Sequence, residues 1–188
     1  AQRIDRIVAG LQRLEEIEVA IGVVENRQVD EAPALIATQQ VVGIFQRADP
    51  AHGGAGGDDR FDVYLLDFAK QADGSFVRES CSSETCSGFM VQENDFAGYG
   101  YPSLSYANRV LSSHEFFHAV QAAYDSEQGS ILAEGTAVWA TEQFDATLHD
   151  FEDFLPGFFK HPDRSLDKPI AGPVDEFSYG MGIWFRYL

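Results

Sequence analysis

Two histidines four residues apart are the part of the sequence best suited to chemistry. They stand in the segment His114-Glu115-Phe116-Phe117-His118. An α-helix turns about 100° per residue, so residues four apart lie one turn apart on the same face and can hold one metal ion together. Glu115 would then be placed to take a proton from a water molecule at that ion. The alternative is a helix with two histidines that bind no metal.

A third ligand is available further along the chain. A catalytic zinc ion normally has three protein ligands and one position left open for water. Glu134 follows His118 by 134 − 118 = 16 residues, with a short polar segment between two helical patterns. Helices joined by a short loop pack antiparallel, so we expect Glu134 to face His118. The alternative is a solvent-facing glutamate near a helix start, where the helix dipole favours acidic groups.

The two motifs together resemble those of the gluzincins, the zincin metallopeptidases whose third zinc ligand is a glutamate. The resemblance lies in the histidine pentapeptide and in Glu134-Gly135-Thr136-Ala137, and it covers residues 104–144 well and the ends of the chain more weakly. It implies a zinc-dependent peptidase that acts on an extended peptide or protein substrate, with Glu115 as the proton-transferring residue. The Zn²⁺ ligands that it implies are His114, His118 and Glu134.

The same resemblance suggests a place for the substrate and a group that would stabilise the transition state. In this family, a strand at the edge of a sheet, next to the active-site helix, binds the extended substrate. Gly88–Gln92 is the last strand pattern before the helix, so we expect it to be that strand. Some gluzincins stabilise the oxyanion with a tyrosine that precedes a glycine-containing helix start. Tyr179 is in such a setting, although a core or loop tyrosine explains it equally well.

The sequence also departs from the family pattern. Many gluzincins carry an acid four residues after the ligand glutamate, and that acid hydrogen-bonds a metal-binding histidine. Val138 occupies this position here. We therefore expect another group to orient His114, with Glu142 or a backbone carbonyl as candidates.

Strand patterns come mainly in the first half of the chain and helical patterns in the second, which predicts an α+β fold with helices on one side of a small sheet. The predicted strands are 34–45, 61–68 and 88–92. The predicted helices are 3–20, 106–124 with Ser103 or Ser105 as its cap, and 131–144, with more helix as far as Phe154. We expect Leu155-Pro156-Gly157 to end that last stretch.

The resulting prediction is a zincin-like catalytic domain over residues 1–188, in which a small mixed sheet in the N-terminal half packs on the active-site helix and the C-terminal part is helical. Its sheet lobe would cover residues 1–103 and its helical lobe residues 104–188. The sequence stops within an apolar helix start. We therefore expect a further C-terminal portion of the protein to follow Leu188.

The composition and the net charge of the chain limit the classes of molecule that it is expected to bind. The chain has 188 residues, of which 45% are hydrophobic, and a formal net charge of −17. This hydrophobic fraction is ordinary for a globular protein. So acidic a chain repels phosphate groups, and we expect neither nucleic acid nor membrane as a partner. Another hypothesis that the acidic composition allows is a Ca²⁺ site, whose candidate ligands are Asp49, Asp58, Asp59 and Asp62.

Two cysteines, Cys81 and Cys86, are close enough to close a small disulfide loop. Zinc binding by this pair is the less favoured reading, because no second pair exists to complete four ligands. A disulfide indicates an oxidising compartment. We therefore expect a secreted or cell-surface protein, of bacterial origin.

Three alternatives to a peptidase stay open at this point. The chain could be a catalytically silent, zincin-like module that binds surfaces and keeps zinc for stability. It could be a zinc hydrolase of substrates other than peptides. It could also be an acidic calcium-binding adhesion domain in which the histidines are incidental.

Overall fold

The computed structural model describes residues 61–166 and 175–187. The chain divides into two compact units, Ala1–Ser126 and Glu127–Leu188. The division falls after the helix that carries the two histidines, whereas the sequence analysis places the change from sheet to helix at about residue 103. The predicted helix over 3–20 and the predicted strand over 34–45 lie outside the described residues.

The first unit contains a mixed sheet of three strands in the order β1-β3-β2. Its strands are β1 Val63–Leu66, β2 Gly74–Ser82 and β3 Thr85–Glu93. β1 runs parallel to β3 and β2 runs antiparallel to it. The prediction of a small mixed sheet in the N-terminal half is therefore confirmed. β2 was not predicted, because most of its side chains are exposed and its sequence lacks the apolar alternation that marks a half-buried strand.

The central position of β3 overturns one prediction. The segment Gly88–Gln92 lies within β3, which pairs with β1 on one side and with β2 on the other. Its backbone groups are engaged in those two ladders, so it cannot bind an extended substrate as an added strand. The prediction of an edge strand at this segment was wrong because the exposed strand β2, which covers it, had not been recognised.

A disulfide bond joins the two strands of the β2–β3 hairpin near its tip. Cys81 and Cys86 are cross-strand partners and their sulfur atoms are bonded, which confirms the predicted disulfide. The turn of the hairpin lies close to the end of the first unit, because the Ser126 amide donates to the Glu84 carbonyl at 2.6 Å. The hairpin tip is thereby attached to the residues that follow the histidine helix.

The histidine helix is α1, Leu104–Tyr124, and it confirms the predicted helix to within two residues. It begins after Ser103, whose side chain accepts a hydrogen bond from the Tyr106 amide at 3.1 Å. Helix α1 packs against β3 and β2. The contact with β3 is partly polar, because the fully buried Gln92 donates to Asn108 and accepts from the Ser112 hydroxyl at 3.1 Å. These directional contacts define which face of α1 meets the sheet.

The second unit is helical in its described part, as predicted for the C-terminal portion. Its elements are α2 Ser130–Phe144, a 3₁₀ helix Asp150–Phe154, α3 Leu155–Phe159, α4 Glu176–Gly180 and α5 Gly182–Arg186. The 3₁₀ helix ends at Phe154, where the sequence analysis places a break, but a new helix that was not predicted begins at Leu155. Pro156 lies in the first turn of α3, where its missing N–H costs no helical hydrogen bond.

A cluster of apolar side chains holds these helices together. Ile131, Phe177 and Met181 are buried in it. Gly135 allows α2 to lie close to Met181, since a Cβ atom at position 135 would lie 3.0 Å from the Cβ of Met181. Among the described residues, no helix has the length and apolar character that a membrane crossing requires.

Candidate metal centre

The two histidines of α1 lie side by side on one face of the helix. Their Nε2 atoms are 3.1 Å apart, and their rings meet edge to face with centroids separated by 4.7 Å. His114 is buried and His118 is half-buried. The structure therefore brings these two predicted ligands together in the manner that their four-residue spacing predicts.

The separation of the two nitrogens suits a shared zinc ion. Zinc binds imidazole nitrogen at about 2.0–2.1 Å in a tetrahedral arrangement, which places two such nitrogens about 3.3 Å apart. The observed 3.1 Å between the Nε2 atoms of His114 and His118 is slightly shorter than that value, and a small side-chain adjustment would remove the difference. The distance between the two nitrogens is therefore compatible with one Zn²⁺ held by both.

Gln121 adds a feature that the sequence analysis missed. The Nδ1 atom of His118 lies 2.7 Å from the Oε1 atom of Gln121, whose side chain is buried. The two residues are three apart on α1, which is a spacing at which helical side chains meet. That spacing was readable in the sequence and could have identified the contact.

Glu115 is buried beside the pair and its carboxylate is anchored to the sheet. Its Oε2 atom accepts a hydrogen bond of 2.7 Å from the backbone amide of Phe76 in β2. Gly74 leaves the space that the side chain needs, because a Cβ atom at that position would lie 3.3 Å from the Glu115 Cγ. The carboxylate thus has a defined orientation, one residue from His114, in a place that bulk water reaches poorly.

The other predicted ligand, Glu134, lies in the second turn of α2 and is half-buried. Val138, one turn further along, is a buried apolar residue. Glu142, one more turn along, is also buried and has Arg186 as its ion-pair partner at 3.5 Å. The role of Glu142 in orienting His114 stays a prediction.

Tyr179 lies in α4, where its half-buried ring stacks on Phe154 with the centroids 4.9 Å apart. This stacking gives the ring a packing function in the second unit, and its role at an oxyanion stays a prediction. Of the calcium candidates, only Asp62 is among the described residues. Within that part of the chain, no group of possible metal ligands includes it.

Compared with protein-family models, with curated proteins and with solved structures, the chain matches none. The resemblance to the gluzincins therefore rests on the residues of the two motifs, and a function must be inferred from the local chemistry of the site.

Proposed function

We propose that the protein is a zinc-dependent peptidase of the gluzincin type with a zincin-like fold. The observation that carries this proposal is the 3.1 Å separation of the His114 and His118 Nε2 atoms on one helix face. Glu134 is the proposed third ligand, because the segment Glu134-Gly135-Thr136-Ala137 resembles the one that carries the third zinc ligand of the gluzincins. Three protein ligands leave one position of a tetrahedral zinc site open, as catalysis requires.

The residues around the metal would each have a separate role in hydrolysis. Bound zinc lowers the pKa of a water molecule towards about 7 and polarises a carbonyl oxygen. Glu115 would take the proton of the attacking water and pass it to the leaving amine. The hydrogen bond from the Phe76 amide would hold its carboxylate in one orientation during that transfer. Tyr179 would donate a hydrogen bond to the developing oxyanion.

The proposed substrate is a peptide or protein segment in an extended conformation. The proposed location is secreted or cell-surface, in a bacterium. The Cys81–Cys86 disulfide supports an oxidising compartment, since such bonds are rare where thiols are kept reduced.

Cleavage of a mixed peptide library by the zinc-loaded protein, compared with its Glu115→Gln variant, tests the proposal. A glutamine can still accept the hydrogen bond from the Phe76 amide, so the variant should fold, but it cannot take up the proton of the water. We expect the rate to fall about 10²- to 10⁴-fold, the usual contribution of a general base. Glu79→Gln, the same change at an exposed position of β2, serves as the matched control and should leave the rate unchanged.

The other results of this experiment separate the alternatives. Equal cleavage by the parent and Glu115→Gln would refute the proposed mechanism. Zinc bound one to one without cleavage of any peptide would favour a silent zinc module or a hydrolase of other substrates. An ester and amide-sugar panel would then distinguish those two. Stability that depends on calcium, with no tightly bound zinc, would favour the adhesion domain.

A further inference from the structure

We infer that Gln121 is a positioning residue for the metal site, which holds the His118 ring in place and keeps the ring proton on Nδ1. This inference rests on the proposed function, because it concerns how His118 presents its other nitrogen to a metal. The contact that carries it is the 2.7 Å separation of His118 Nδ1 and Gln121 Oε1.

The chemistry of the two groups sets the tautomer. In the orientation that the carboxamide has in the structure, its oxygen and not its NH2 group faces Nδ1, and an oxygen can only accept a hydrogen bond, so this contact requires the proton of a neutral imidazole to be on Nδ1. The lone pair is then on Nε2, the atom that lies 3.1 Å from the Nε2 of His114. Gln121 thereby selects the form of His118 that can bind a metal through the nitrogen on the shared face.

The position of Gln121 makes this restraint effective. Gln121 is 8% exposed, so water competes weakly for its carboxamide oxygen. Both residues belong to α1, whose backbone fixes their spacing. Groups that orient a metal-binding histidine in this way typically contribute a factor of about 10–100 in metal affinity.

The test compares Gln121→Met with Gln121→Glu. Methionine has a similar length but no oxygen acceptor, whereas glutamate keeps an acceptor and can never donate when ionised. We expect Gln121→Met to raise the zinc dissociation constant about 10–100-fold and Gln121→Glu to keep it close to that of the parent. Gln143→Met, the same change at an exposed position of α2, is the matched control and should leave zinc affinity unaltered.

A second readout needs no metal. Nitrogen NMR of the His118 ring in the metal-free parent protein should show the proton on Nδ1, and Gln121→Met should shift the population towards protonation at Nε2. A ring proton on Nε2 in the parent would overturn the inference even if Gln121→Met failed to fold.

The failure of this inference can be told apart from the failure of the proposed function. If His118→Ala abolishes zinc binding while Gln121→Met binds zinc as tightly as the parent, only the role of Gln121 is refuted. If the parent itself binds no zinc, both are refuted.

Discussion

Two buried glutamates, one in each unit, have opposite surroundings. Glu93, at the end of β3, is 2% exposed and accepts hydrogen bonds from the Phe68 amide at 2.8 Å, the Asn94 amide at 3.0 Å and the Tyr99 hydroxyl at 2.8 Å. Glu142, in α2, is 6% exposed. It meets Arg186 at 3.5 Å, and its Oε1 atom is buried with no hydrogen-bond partner among the described residues.

These surroundings shift the two pKa values in opposite directions. Burial alone would raise the pKa of Glu93, but the hydrogen bonds from Phe68, Tyr99 and Asn94 lower it below its ordinary value. Burial raises the pKa of Glu142, the nearby acids Glu152 and Asp150 raise it further, and His149 and Arg186 only partly oppose this. Burial would raise both pKa values, so the donors directed at Glu93, and the scarcity of such donors beside other acids at Glu142, decide the sign of each shift.

A second comparison is between the polar contact of α1 with the sheet in the first unit and the apolar cluster of the second unit. In the first unit, the buried groups between α1 and the sheet have defined partners, as the Gln92–Ser112 and Glu115–Phe76 hydrogen bonds show. The described core cluster of the second unit is apolar and includes Phe177. Directional bonds specify the orientation of a helix, whereas apolar packing mainly supplies stability. The region with the directional bonds is the one that carries the histidine pair.

The largest expected effect tests the apolar half of this comparison. Phe177 is 2% exposed and stacks on Phe158 with the centroids 5.1 Å apart. We expect Phe177→Ala to lower the free energy of unfolding by about 3–5 kcal/mol, because it removes buried apolar area and leaves a cavity. Urea denaturation measures this. Phe159→Ala, at a ring that is 60% exposed, is the control and should cost much less. Equal losses would show that the second unit does not depend on this cluster.

A smaller effect is expected where polar contacts join α1 to the sheet. Gln92→Leu would leave Asn108 and Ser112, which are half-buried, without their partner. We expect a loss of about 1 kcal/mol in the free energy of unfolding, the lower end of the cost of an unsatisfied polar group, because water can still reach both side chains in part. Replacing all three residues with apolar ones should recover part of that loss. A triple variant as unstable as the sum of its single changes would mean that the hydrogen bonds do not act together.

The smallest effects concern pH, and they should have opposite signs in the two units. The lowered pKa of Glu93 means that its contribution to stability is present above the unfolded pKa of about 4.3 and is lost as pH falls through the folded pKa. The raised pKa of Glu142 means that its contribution is present below that unfolded value and is lost as pH rises through the folded pKa. Relative to the parent, Glu93→Gln should therefore be less stable and Glu142→Gln more stable at neutral pH.

Urea midpoints measured from about pH 3 to about pH 8 would check both signs. The difference in urea midpoint between each variant and the parent should shrink in acid, because the glutamates of the parent become protonated there and are then uncharged like glutamine. Asp153→Asn, at an exposed position, is a control for the loss of one negative charge. Midpoints that shift in the same direction for Glu93→Gln and Glu142→Gln would contradict the comparison.

Local geometry made several features predictable from the sequence. The pairing of His114 with His118 follows from the pitch of one helix, and the disulfide follows from the short separation of the two cysteines. The start of α1 was narrowed to a cap at Ser103 or Ser105, and Ser103 is the cap. Each of these features depends on residues that are near one another in the chain, so their spacing contains the needed information.

Other features were decided by tertiary structure alone. The central place of β3 depends on its pairing with β1 and β2. The sequence of β2 has no apolar alternation from which a strand could be predicted. The anchoring of Glu115 by the Phe76 amide joins residues 39 positions apart. The opposite pKa shifts of Glu93 and Glu142 depend on which donors the folded chain directs at each carboxylate. The sequence by itself thus determined the histidine pair, and only the fold decided how its surroundings are oriented, because hydrogen bonds between distant segments require both segments to be in place.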